Sequence, residues 1–509
     1  MPVHSSALSR ELPVGVVGAG TMGAGIAQVA AMAGHSVRLV DAREGAAESA
    51  VQGLRQRLAR MAERGRLAPE EAAAIGARLI PAGGLAELAG CGLVIEAIVE
   101  DMKVKRELFG ELETILAADA ILATNTSSLS ITAMAAHLER PGRLVGMHFF
   151  NPAPLMALVE VVSGLATDPT VAGTVFETAR LWGKAPVHAA NTPGFIVNRV
   201  ARPFYGEAFR LLAEQAGLPA TIDALMRESG GFRMGPFELT DLIGQDVNAA
   251  VSRSVFEAYD YDPRYRPSLF QRELVDAGRL GRKSGRGIYD HAEGATKPEP
   301  ATAAAGPKPQ RIVAEGLRGP AEALLDLATA AGIEVERREQ GPGLIRLDGI
   351  VLALTDGETA DEHTARTGEP VLLFDLALDY GAATRIGLAA PLRASDAQRA
   401  AAAGFFQALG KSVSFVGDLP GMVVMRTVAM LANEAAEAVH TGVADAQGVD
   451  TAMRKGVNYP AGPLAWAERM GTRRIVETID HMARAYGEDR YRCSLGLRRL
   501  LWQTPHSGR

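Results

Sequence analysis

A histidine and a glutamate twelve residues apart form the first candidate for chemistry. His148 ends the apolar run 144–147, and Glu160 lies inside the next such run, 158–162. A carboxylate within an apolar run is costly unless it is paired. On neighbouring strands, Glu160 would hold one imidazole nitrogen of His148 and leave the other to accept a proton. The same spacing also fits a structural hydrogen bond that stabilises a turn.

A glycine-rich turn near the start of the chain predicts a dinucleotide site. Its motif residues are Gly18, Gly20, Thr21, Met22 and Gly23. The first glycine permits a tight turn, the second lets the backbone approach a pyrophosphate, and the third packs the next helix on the strand. Asp41 ends the following strand, where a carboxylate binds ribose hydroxyls and repels a 2′-phosphate. We therefore expect NAD rather than NADP, although Arg43 lies nearby, and a plain glycine turn is the alternative.

Polar groups also follow other apolar runs of the first 150 residues. Residues 124–128 read Thr-Asn-Thr-Ser-Ser, and Ser127 or Ser128 either donates to a substrate oxygen or caps a helix before Ile131. Glu96 and Glu100 either line a cofactor cleft or are solvated. The next helix presents basic residues typical of a solvated face: Lys103, Lys105 and Arg106. A second basic set at near-helical spacing fits an exposed face or a phosphate clamp: Arg57, Arg60 and Arg64.

These side chains need a sheet whose strand ends meet at one edge. Strand and helix patterns alternate over residues 1–190, which predicts a Rossmann-type α/β domain with a parallel, doubly wound sheet. Within it, residues 46–77 read as one charged amphipathic helix. Residues 191–290 predict an all-helical domain for substrate binding or dimerisation, and residues 291–310 an exposed linker.

The second part of the chain contains a repeat. Glycine, proline and charged positions between 183 and 244 recur 227 residues later, which predicts a duplicated helical domain over residues 419–509. Residues 311–418 contain strand-like runs and are interpreted as a degenerate α/β segment. At the same offset Asn198 becomes Met425, His148 becomes Asp375 and Glu160 becomes Gly387. The second copy is therefore expected to lack catalysis and to pack on the first as an internal pseudo-dimer.

Composition excludes several classes of protein. The 509 residues carry a formal net charge of −6, which gives no indication of nucleic-acid binding. Two distant cysteines form neither a disulfide framework nor a metal-ligand pattern. Residues 1–13 have no apolar signal core, and no apolar run approaches the length of a membrane span. We expect a cytoplasmic protein with no metal, nucleic-acid or membrane partner, and the sequence leaves both a monomer and a homo-oligomer open.

Taken together, these motifs resemble the 3-hydroxyacyl-CoA dehydrogenase family. The matching runs are 18–27, 96–100, 124–129, 148–152, 158–162 and 192–199. The resemblance implies that His148 is the general base, oriented by Glu160, and that Ser127 and Asn198 hydrogen-bond the substrate oxygens. It implies that Asp41 binds the adenine ribose of NAD. It also implies three residues around the nicotinamide half: Glu100, Lys105 and Asn151.

The two-part layout is similar to a narrower group, the 3-hydroxyadipyl-CoA dehydrogenases of phenylacetate degradation. Runs 238–247, 281–285, 426–430 and 456–460 support this. A 3-hydroxybutyryl-CoA dehydrogenase shares the first-half motifs and is the alternative, with a non-catalytic NAD-binding assembly protein as a remote one. A dicarboxylic chain needs a cation for its distal carboxylate, for which the candidates are Arg202, Arg233 and Arg264. The family's CoA-binding Ser and Lys have no clean match, so Arg57–Arg64 is a weak assignment.

Overall fold

The computed structural model describes residues 6–503, which fall into two compact units. The first comprises Met1–Asn198 and Thr441–Val457, and the second comprises Arg199–His440 and Asn458–Arg509. Residues 1–5, part of the stretch examined for a signal peptide, and residues 504–509 lie outside the described residues. No described helix has the length and apolar content needed to span a membrane.

The strands, in chain order, are β1 (Val14–Val17), β2 (Val37–Val40), β3 (Leu79–Pro81), β4 (Leu93–Glu96), β5 (Ile121–Thr124), β6 (Leu144–Phe149), β7 (Leu158–Ser163), β8 (Ala185–Ala190), β9 (Arg311–Glu315), β10 (Glu334–Arg338), β11 (Leu344–Leu347), β12 (Ile350–Leu354), β13 (Val371–Phe374), β14 (Arg385–Ala389) and β15 (Ser412–Phe415).

The helices are α1 (Thr21–Met32), α2 (Ala46–Glu63), α3 (Pro69–Arg78), α4 (Met102–Ile115), α5 (Ile131–Ala135), α6 (Pro169–Leu181), α7 (Val197–Val200), α8 (Arg202–Ala213), α9 (Pro219–Glu228), α10 (Pro236–Ile243), α11 (Gln245–Ala258), α12 (Leu269–Asp276), α13 (Ala323–Ala330), α14 (Ala360–Thr367), α15 (Asp396–Ala408), α16 (Val424–His440), α17 (Ala446–Gly456), α18 (Pro463–Met470), α19 (Thr472–Tyr486) and α20 (Leu495–Gln503).

The first unit is built on an eight-stranded sheet of Rossmann type, as expected. Its strand order is β3-β2-β1-β4-β5-β6-β7-β8. Strands β1 to β6 run parallel, and every residue of β1, β4, β5 and β6 is buried. Continuous apolar strands of this kind are typical of a parallel sheet covered on both faces. The polar residues that follow these strands therefore collect at one edge of the sheet.

One strand contradicts the expectation of a wholly parallel sheet. β7 pairs antiparallel with β6 and parallel with β8. The physical reason is the short connection: residues 150–157 separate the two strands, whereas a parallel crossover needs about a dozen residues or more. In this register His148 lies directly opposite Glu160, so the reversal itself brings the two side chains together.

Two predictions about helices in this unit were wrong in detail. Residues 46–77 form two helices, α2 and α3, because the chain turns at Gly65, where φ is 67°, and a new helix begins at Pro69.

The cap of α5 is Ser130, whose hydroxyl accepts a hydrogen bond from the Ala133 N–H at 3.1 Å. Ser130 directly precedes the helix and can reach that amide, so Ser127 and Ser128 are not the caps.

The second unit contains a further α/β segment and most of the helical region. Its seven-stranded sheet has the order β10-β9-β11-β12-β13-β14-β15. Among its last four strands, β12 and β13 are parallel, β13 and β14 are antiparallel, and β14 and β15 are parallel. Strands β5 to β8 of the first sheet show the same succession of pairings. The second sheet segment expected from the sequence is therefore present.

The helical part of this unit contains a buried ion-pair cluster around Glu434. Its carboxylate lies 2.6 Å from Arg199 and 3.2 Å from Arg264, and it accepts a hydrogen bond from the Tyr265 hydroxyl at 2.6 Å. Burial alone would raise the pKa of Glu434, but Arg264 and Arg199 hold it below its usual value. The glutamate is thus ionised within the helical core.

A second ion-pair cluster surrounds Glu207. Its carboxylate lies 2.8 Å from both Arg426 and Arg490, and the Tyr491 hydroxyl donates to it at 2.9 Å. Burial opposes ionisation here as well, yet Arg490 and Arg426 lower the pKa of Glu207 to about 2. Each central glutamate thus binds two arginines and one tyrosine, and in the second cluster Arg426 also pairs with Glu214 at 3.1 Å.

We expect Glu434→Gln and Glu207→Gln each to destabilise the protein by about 3–5 kcal/mol, because each removes a buried carboxylate that pairs with two buried guanidinium groups. Chemical denaturation at pH 7 measures the change. Asp480→Asn, which breaks the exposed pair with Arg498, is the control and should cost less than about 1 kcal/mol. Losses no larger than this control would contradict the role of the clusters.

Candidate active site

The structure brings His148 and Glu160 into direct contact. His148 Nδ1 lies 2.7 Å from Glu160 Oε2, and both side chains are almost completely buried. Among the described residues, His148 Nε2 forms no hydrogen bond. One ring nitrogen is therefore fixed by a carboxylate, and the other is left to exchange a proton with a ligand.

Glu160 has a second role that the sequence did not indicate. Its other oxygen, Oε1, accepts hydrogen bonds from the backbone N–H groups of Ile196 at 3.0 Å and Val197 at 2.9 Å. These two amides lie at the start of α7. Both oxygens of this buried carboxylate therefore have hydrogen-bond partners, as a buried polar group requires.

Two aromatic rings pack against the imidazole of His148. Phe150 lies 4.5 Å from it between ring centroids, and Phe195 lies 5.9 Å away in an edge-on arrangement. Phe195 has a φ of 47°, a left-handed conformation that a bulky side chain rarely adopts. The backbone strain at Phe195 therefore lies directly beside the histidine.

Ser127 and Asn198 lie together in the same unit. The Asn198 side-chain amide donates to the Ser127 carbonyl, with a nitrogen–oxygen distance of 3.4 Å. The Ser127 hydroxyl forms no hydrogen bond within the described chain. The pair thus offers a hydroxyl donor and an amide near the strand edge, consistent with either substrate contact or local loop structure.

The acids and the lysine near β4 form a buried network, which corrects part of the sequence interpretation. Lys105 is 1% exposed, with its ammonium 2.5 Å from Glu96 and 3.1 Å from Glu100. Thr126 donates to Glu100 at 2.6 Å. Burial alone would raise the pKa of Glu100, but Lys105 and this hydrogen bond lower it. The expectation that Lys105 lies on a solvated face was wrong, and of the two alternatives for Glu96 solvation is excluded, because the two groups pair inside the fold.

Asn151 lies three residues after His148 and is exposed. It makes no hydrogen bond within the part of the chain that the structure describes. A contact with the nicotinamide half of a cofactor, expected from the resemblance, remains a prediction for this residue.

The glycine-rich turn has the shape that a pyrophosphate requires. Gly18 has a φ of 105°, and a Cβ there would lie 2.4 Å from the Ala97 carbonyl oxygen. A Cβ at Gly23 would lie 1.8 Å from the Gly18 oxygen, so the helix α1 packs against the turn only with glycine. A Cβ at Gly20 would meet no protein atom within 4 Å. The open side of the turn therefore faces space that a ligand can use.

Asp41 is positioned at this turn. Its carboxylate accepts hydrogen bonds from the Ala19 N–H at 2.8 Å and from the Arg43 N–H at 3.0 Å. Although burial opposes ionisation, these hydrogen bonds lower the pKa of Asp41. Arg43 is mostly exposed and pairs with the same carboxylate at 3.1 Å. An ionised acid at this place fits the ribose of NAD.

A basic cavity of about 460 Å³ lies in the same unit. Four arginines line it: Arg57, Arg60, Arg64 and Arg66. Pro152 and Leu155, from the connection between β6 and β7, form an apolar side, and no Asp or Glu is among the described residues that line the cavity. Sequence reasoning found three of these arginines and missed Arg66, which lies in the turn after α2 rather than at helical spacing.

Known protein families match nearly the whole chain. Residues 13–192 match the model described as 3-hydroxyacyl-CoA dehydrogenase, NAD binding domain. Residues 194–291 and 421–507 both match its C-terminal domain. Residues 352–420 match a 3-hydroxybutyryl-CoA dehydrogenase reduced Rossmann-fold domain.

Individual relatives agree with these matches. A 3-hydroxyadipyl-CoA dehydrogenase of Escherichia coli K12 is 46% identical over 96% of this chain and 98% of its own length. A crystal structure of an E. coli 3-hydroxybutyryl-CoA dehydrogenase is 44% identical, with a TM-score of 0.89 over 96% of this chain and 98% of that one. A probable 3-hydroxybutyryl-CoA dehydrogenase of Bacillus subtilis is 43% identical over 55% of this chain and 96% of its own.

The glycines of the turn give a matched pair of substitutions. We expect Gly20→Ala to leave stability unchanged, since its Cβ meets no protein atom, and to weaken NAD binding by about tenfold or more by blocking the pyrophosphate. Gly23→Ala should lower both stability and NAD affinity, because its Cβ collides with the backbone. Calorimetric titration and thermal melts measure the two quantities. Unchanged NAD affinity in Gly20→Ala would contradict this placement of the cofactor.

Proposed function

Because this chain belongs to the 3-hydroxyacyl-CoA dehydrogenase family, we propose that it oxidises (S)-3-hydroxyacyl-CoA to 3-oxoacyl-CoA with NAD, using His148 as the base. The 2.7 Å contact between His148 Nδ1 and Glu160 Oε2, with Nε2 left open, carries this proposal. Glu160 keeps the imidazole in one orientation and stabilises the positive charge that forms when Nε2 takes the hydroxyl proton.

Ser127 and Asn198 are proposed to hold the reacting oxygen. The Ser127 hydroxyl has no partner among the described residues, and the Asn198 amide lies beside it. Two neutral donors stabilise an oxygen that gains negative charge as its proton leaves. Asn198 directly follows Val197, whose N–H binds the Glu160 carboxylate that holds His148, and this supports a shared site.

The residues at the glycine turn fit NAD. Gly18, Gly20 and Gly23 would hold the pyrophosphate at the start of α1, and Asp41 would bind the adenine ribose. When bound, NAD supplies the acceptor for the hydride that leaves C3 of the substrate. Glu100 is proposed to lie near the nicotinamide half, with Lys105 acting through it, because Lys105 is buried against Glu100 and Glu96.

The proposed substrate is 3-hydroxyadipyl-CoA, as formed in phenylacetate degradation. Two nearly full-length relatives carry different substrate names, adipyl and butyryl, so the choice needs an experiment. Arg264 is neutralised by Glu434, and Arg202 is buried with a hydrogen bond to Ser252. Arg233 is exposed, and which of the three arginines binds a distal carboxylate stays a prediction.

The four arginines of the basic cavity are proposed to bind the phosphates of CoA. CoA carries a pyrophosphate and a 3′-phosphate, and guanidinium groups bind such anions through paired hydrogen bonds. The apolar side of the cavity, at Pro152 and Leu155, suits the pantetheine arm. This assignment gives the CoA moiety a site in the unit that contains His148.

The helical region is proposed to be duplicated and paired about a pseudo-two-fold axis. The starts of β14, β15, α15, α16, α17, α18 and α19 lie 227 residues after those of β7, β8, α6, α7, α9, α10 and α11. The two ion-pair clusters support the pairing, since Arg199 binds Glu434 whereas Arg426 binds Glu207. Each arginine therefore contacts the glutamate of the other copy. A crystal structure in which no near-180° rotation superposes α8 on α16 would contradict this symmetry.

The second copy is proposed to be catalytically silent. Asp375, at the position equivalent to His148, is buried and accepts hydrogen bonds from the N–H groups of Val423, Val424 and Met425 at 2.8–3.0 Å. Burial raises the pKa of Asp375 to about 6, against these hydrogen bonds. The residue thus repeats the contact of Glu160 with a helix start but has no imidazole to orient. We therefore propose one active site per chain, in the first half. We also propose that the protein acts in the cytoplasm.

The reaction is tested by NADH production from a panel of (S)-3-hydroxyacyl-CoAs. We expect preferential turnover of 3-hydroxyadipyl-CoA, and a loss of turnover on the order of 10²–10⁴-fold in His148→Ala with NAD affinity retained. His188→Ala, which alters a histidine of β8 stacked on Phe176, is the matched control and should keep its activity.

Each other outcome has a clear meaning. Preference for 3-hydroxybutyryl-CoA would keep the mechanism and overturn the substrate. If the same acyl groups are turned over equally well on CoA and on a shortened thiol such as N-acetylcysteamine, the protein is a hydroxyacid dehydrogenase that does not recognise CoA. Absence of turnover with NAD still bound would make the non-catalytic alternative the leading one.

The CoA assignment has its own test. Replacing Arg60 and Arg64 by alanine should raise the KM for acyl-CoA by about tenfold or more, since each guanidinium–phosphate pair contributes roughly 1.5–3 kcal/mol. The KM for the same acyl group on N-acetylcysteamine should not change, because that thiol has no phosphate. Arg180→Ala, on the exposed side of α6, is the control. Equal effects on both thioesters would contradict a phosphate clamp.

A further inference from the structure

The first compact unit includes a segment from the second half of the chain. Residues Thr441–Val457 belong to it, although they follow a long stretch that belongs to the second unit. The helix of this segment, α17, buries one face, and its buried residues are Val449, Ala452, Met453 and Gly456. Steps of three and four residues are typical of a helix that packs on a larger structure.

The surface that α17 covers includes the strand that carries Glu160. The helix packs against β7 and β8. Just before it, the Val443 carbonyl accepts a hydrogen bond from the Ala190 N–H at 2.7 Å, which ties the segment to the end of β8. The segment is therefore joined to the sheet by backbone hydrogen bonding as well as by side-chain packing.

Gly456 lies close to residues that adjoin the active site. A Cβ at this position would lie 2.5 Å from Leu158 Cδ2 and 3.2 Å from Val197 Cγ2. Leu158 begins β7, and the Val197 N–H donates to Glu160 at 2.9 Å. The backbone of Gly456 thus contacts both chain segments that hold the Glu160 carboxylate.

A reciprocal arrangement exists within the second unit. There α9, which begins 227 residues before α17, packs on β14 of the second sheet. A Cβ at Gly387 of β14 would lie 3.3 Å from the Leu225 side chain, and the Leu378 N–H donates to the Ser229 carbonyl at 2.9 Å. Each half of the chain therefore contributes one helix to the sheet of the other half.

We propose that the second half of the chain covers the active-site sheet with α17. We further propose that Gly456 is a positioning residue for the His148–Glu160 pair. The helix α17 holds β7 and the start of α7 in the relative position that lets Glu160 bind His148 and Val197 together. This inference rests on the proposed function only in taking that pair as the base.

The test uses Gly456→Leu in the full chain. The added side chain pushes α17 away from Leu158 and Val197, so kcat should fall by about 10- to 100-fold, with the KM for NAD changed less than about twofold. Hydrogen–deuterium exchange should accelerate in peptides that cover β7 and residues 195–198, and stay unchanged in β1. Gly456→Ala provides a milder variant if the larger side chain prevents folding.

Matched controls separate positioning from general destabilisation. Gly387→Leu places a leucine at the contact of β14 with Leu225 of α9, from the strand side, and should loosen β14 without lowering kcat. Adding Leu158→Ala to Gly456→Leu makes room for the new side chain and should restore much of kcat. Unchanged exchange in β7, or an equal loss of kcat in Gly387→Leu, would overturn the inference. An inactive wild-type protein would instead refute the proposed function, and the exchange data alone would then decide the role of α17.

Discussion

The carboxylate of Glu160 is the interaction on which the candidate site depends. One oxygen binds His148 at 2.7 Å, and the other accepts two backbone N–H groups that open α7. The same group therefore fixes the imidazole and joins the last part of the sheet to the helix turn that carries Asn198. Chemistry and local folding share a single buried charge, and a change to either contact disturbs the other.

That arrangement follows from the reversal of one strand. The eight-residue connection 150–157 cannot cross back over the sheet, so β7 runs antiparallel to β6 and places Glu160 opposite His148. In a parallel arrangement, the connection would need a further helix between the two residues. A short loop in the sequence thus has a direct consequence for how the base is built.

The sequence was sufficient for features that depend on short-range pattern. The glycine turn, the His148–Glu160 pair and the alternation of strands and helices could all be inferred from spacing and apolar runs. The burial of Lys105 could not, because its partners Glu96 and Glu100 lie across a strand end and local charge suggested a solvated face. The N–H donors to Glu160 lie 36 and 37 residues away, and the contact of Gly456 with Leu158 joins residues about 300 positions apart. No local pattern encodes such pairs.

The packing of α17 on β7 and β8 also has a consequence for how the protein is made. β8 ends at Ala190, whereas α17 begins at Ala446. At a translation rate of roughly 5–20 residues per second, roughly 10–50 s separate the emergence of these two elements from the ribosome. During that interval the nascent first domain displays an uncovered apolar face beside Glu160. Chaperone access to this face is therefore greatest before α17 has been synthesised, and the active-site sheet is covered only after residue 456 has emerged.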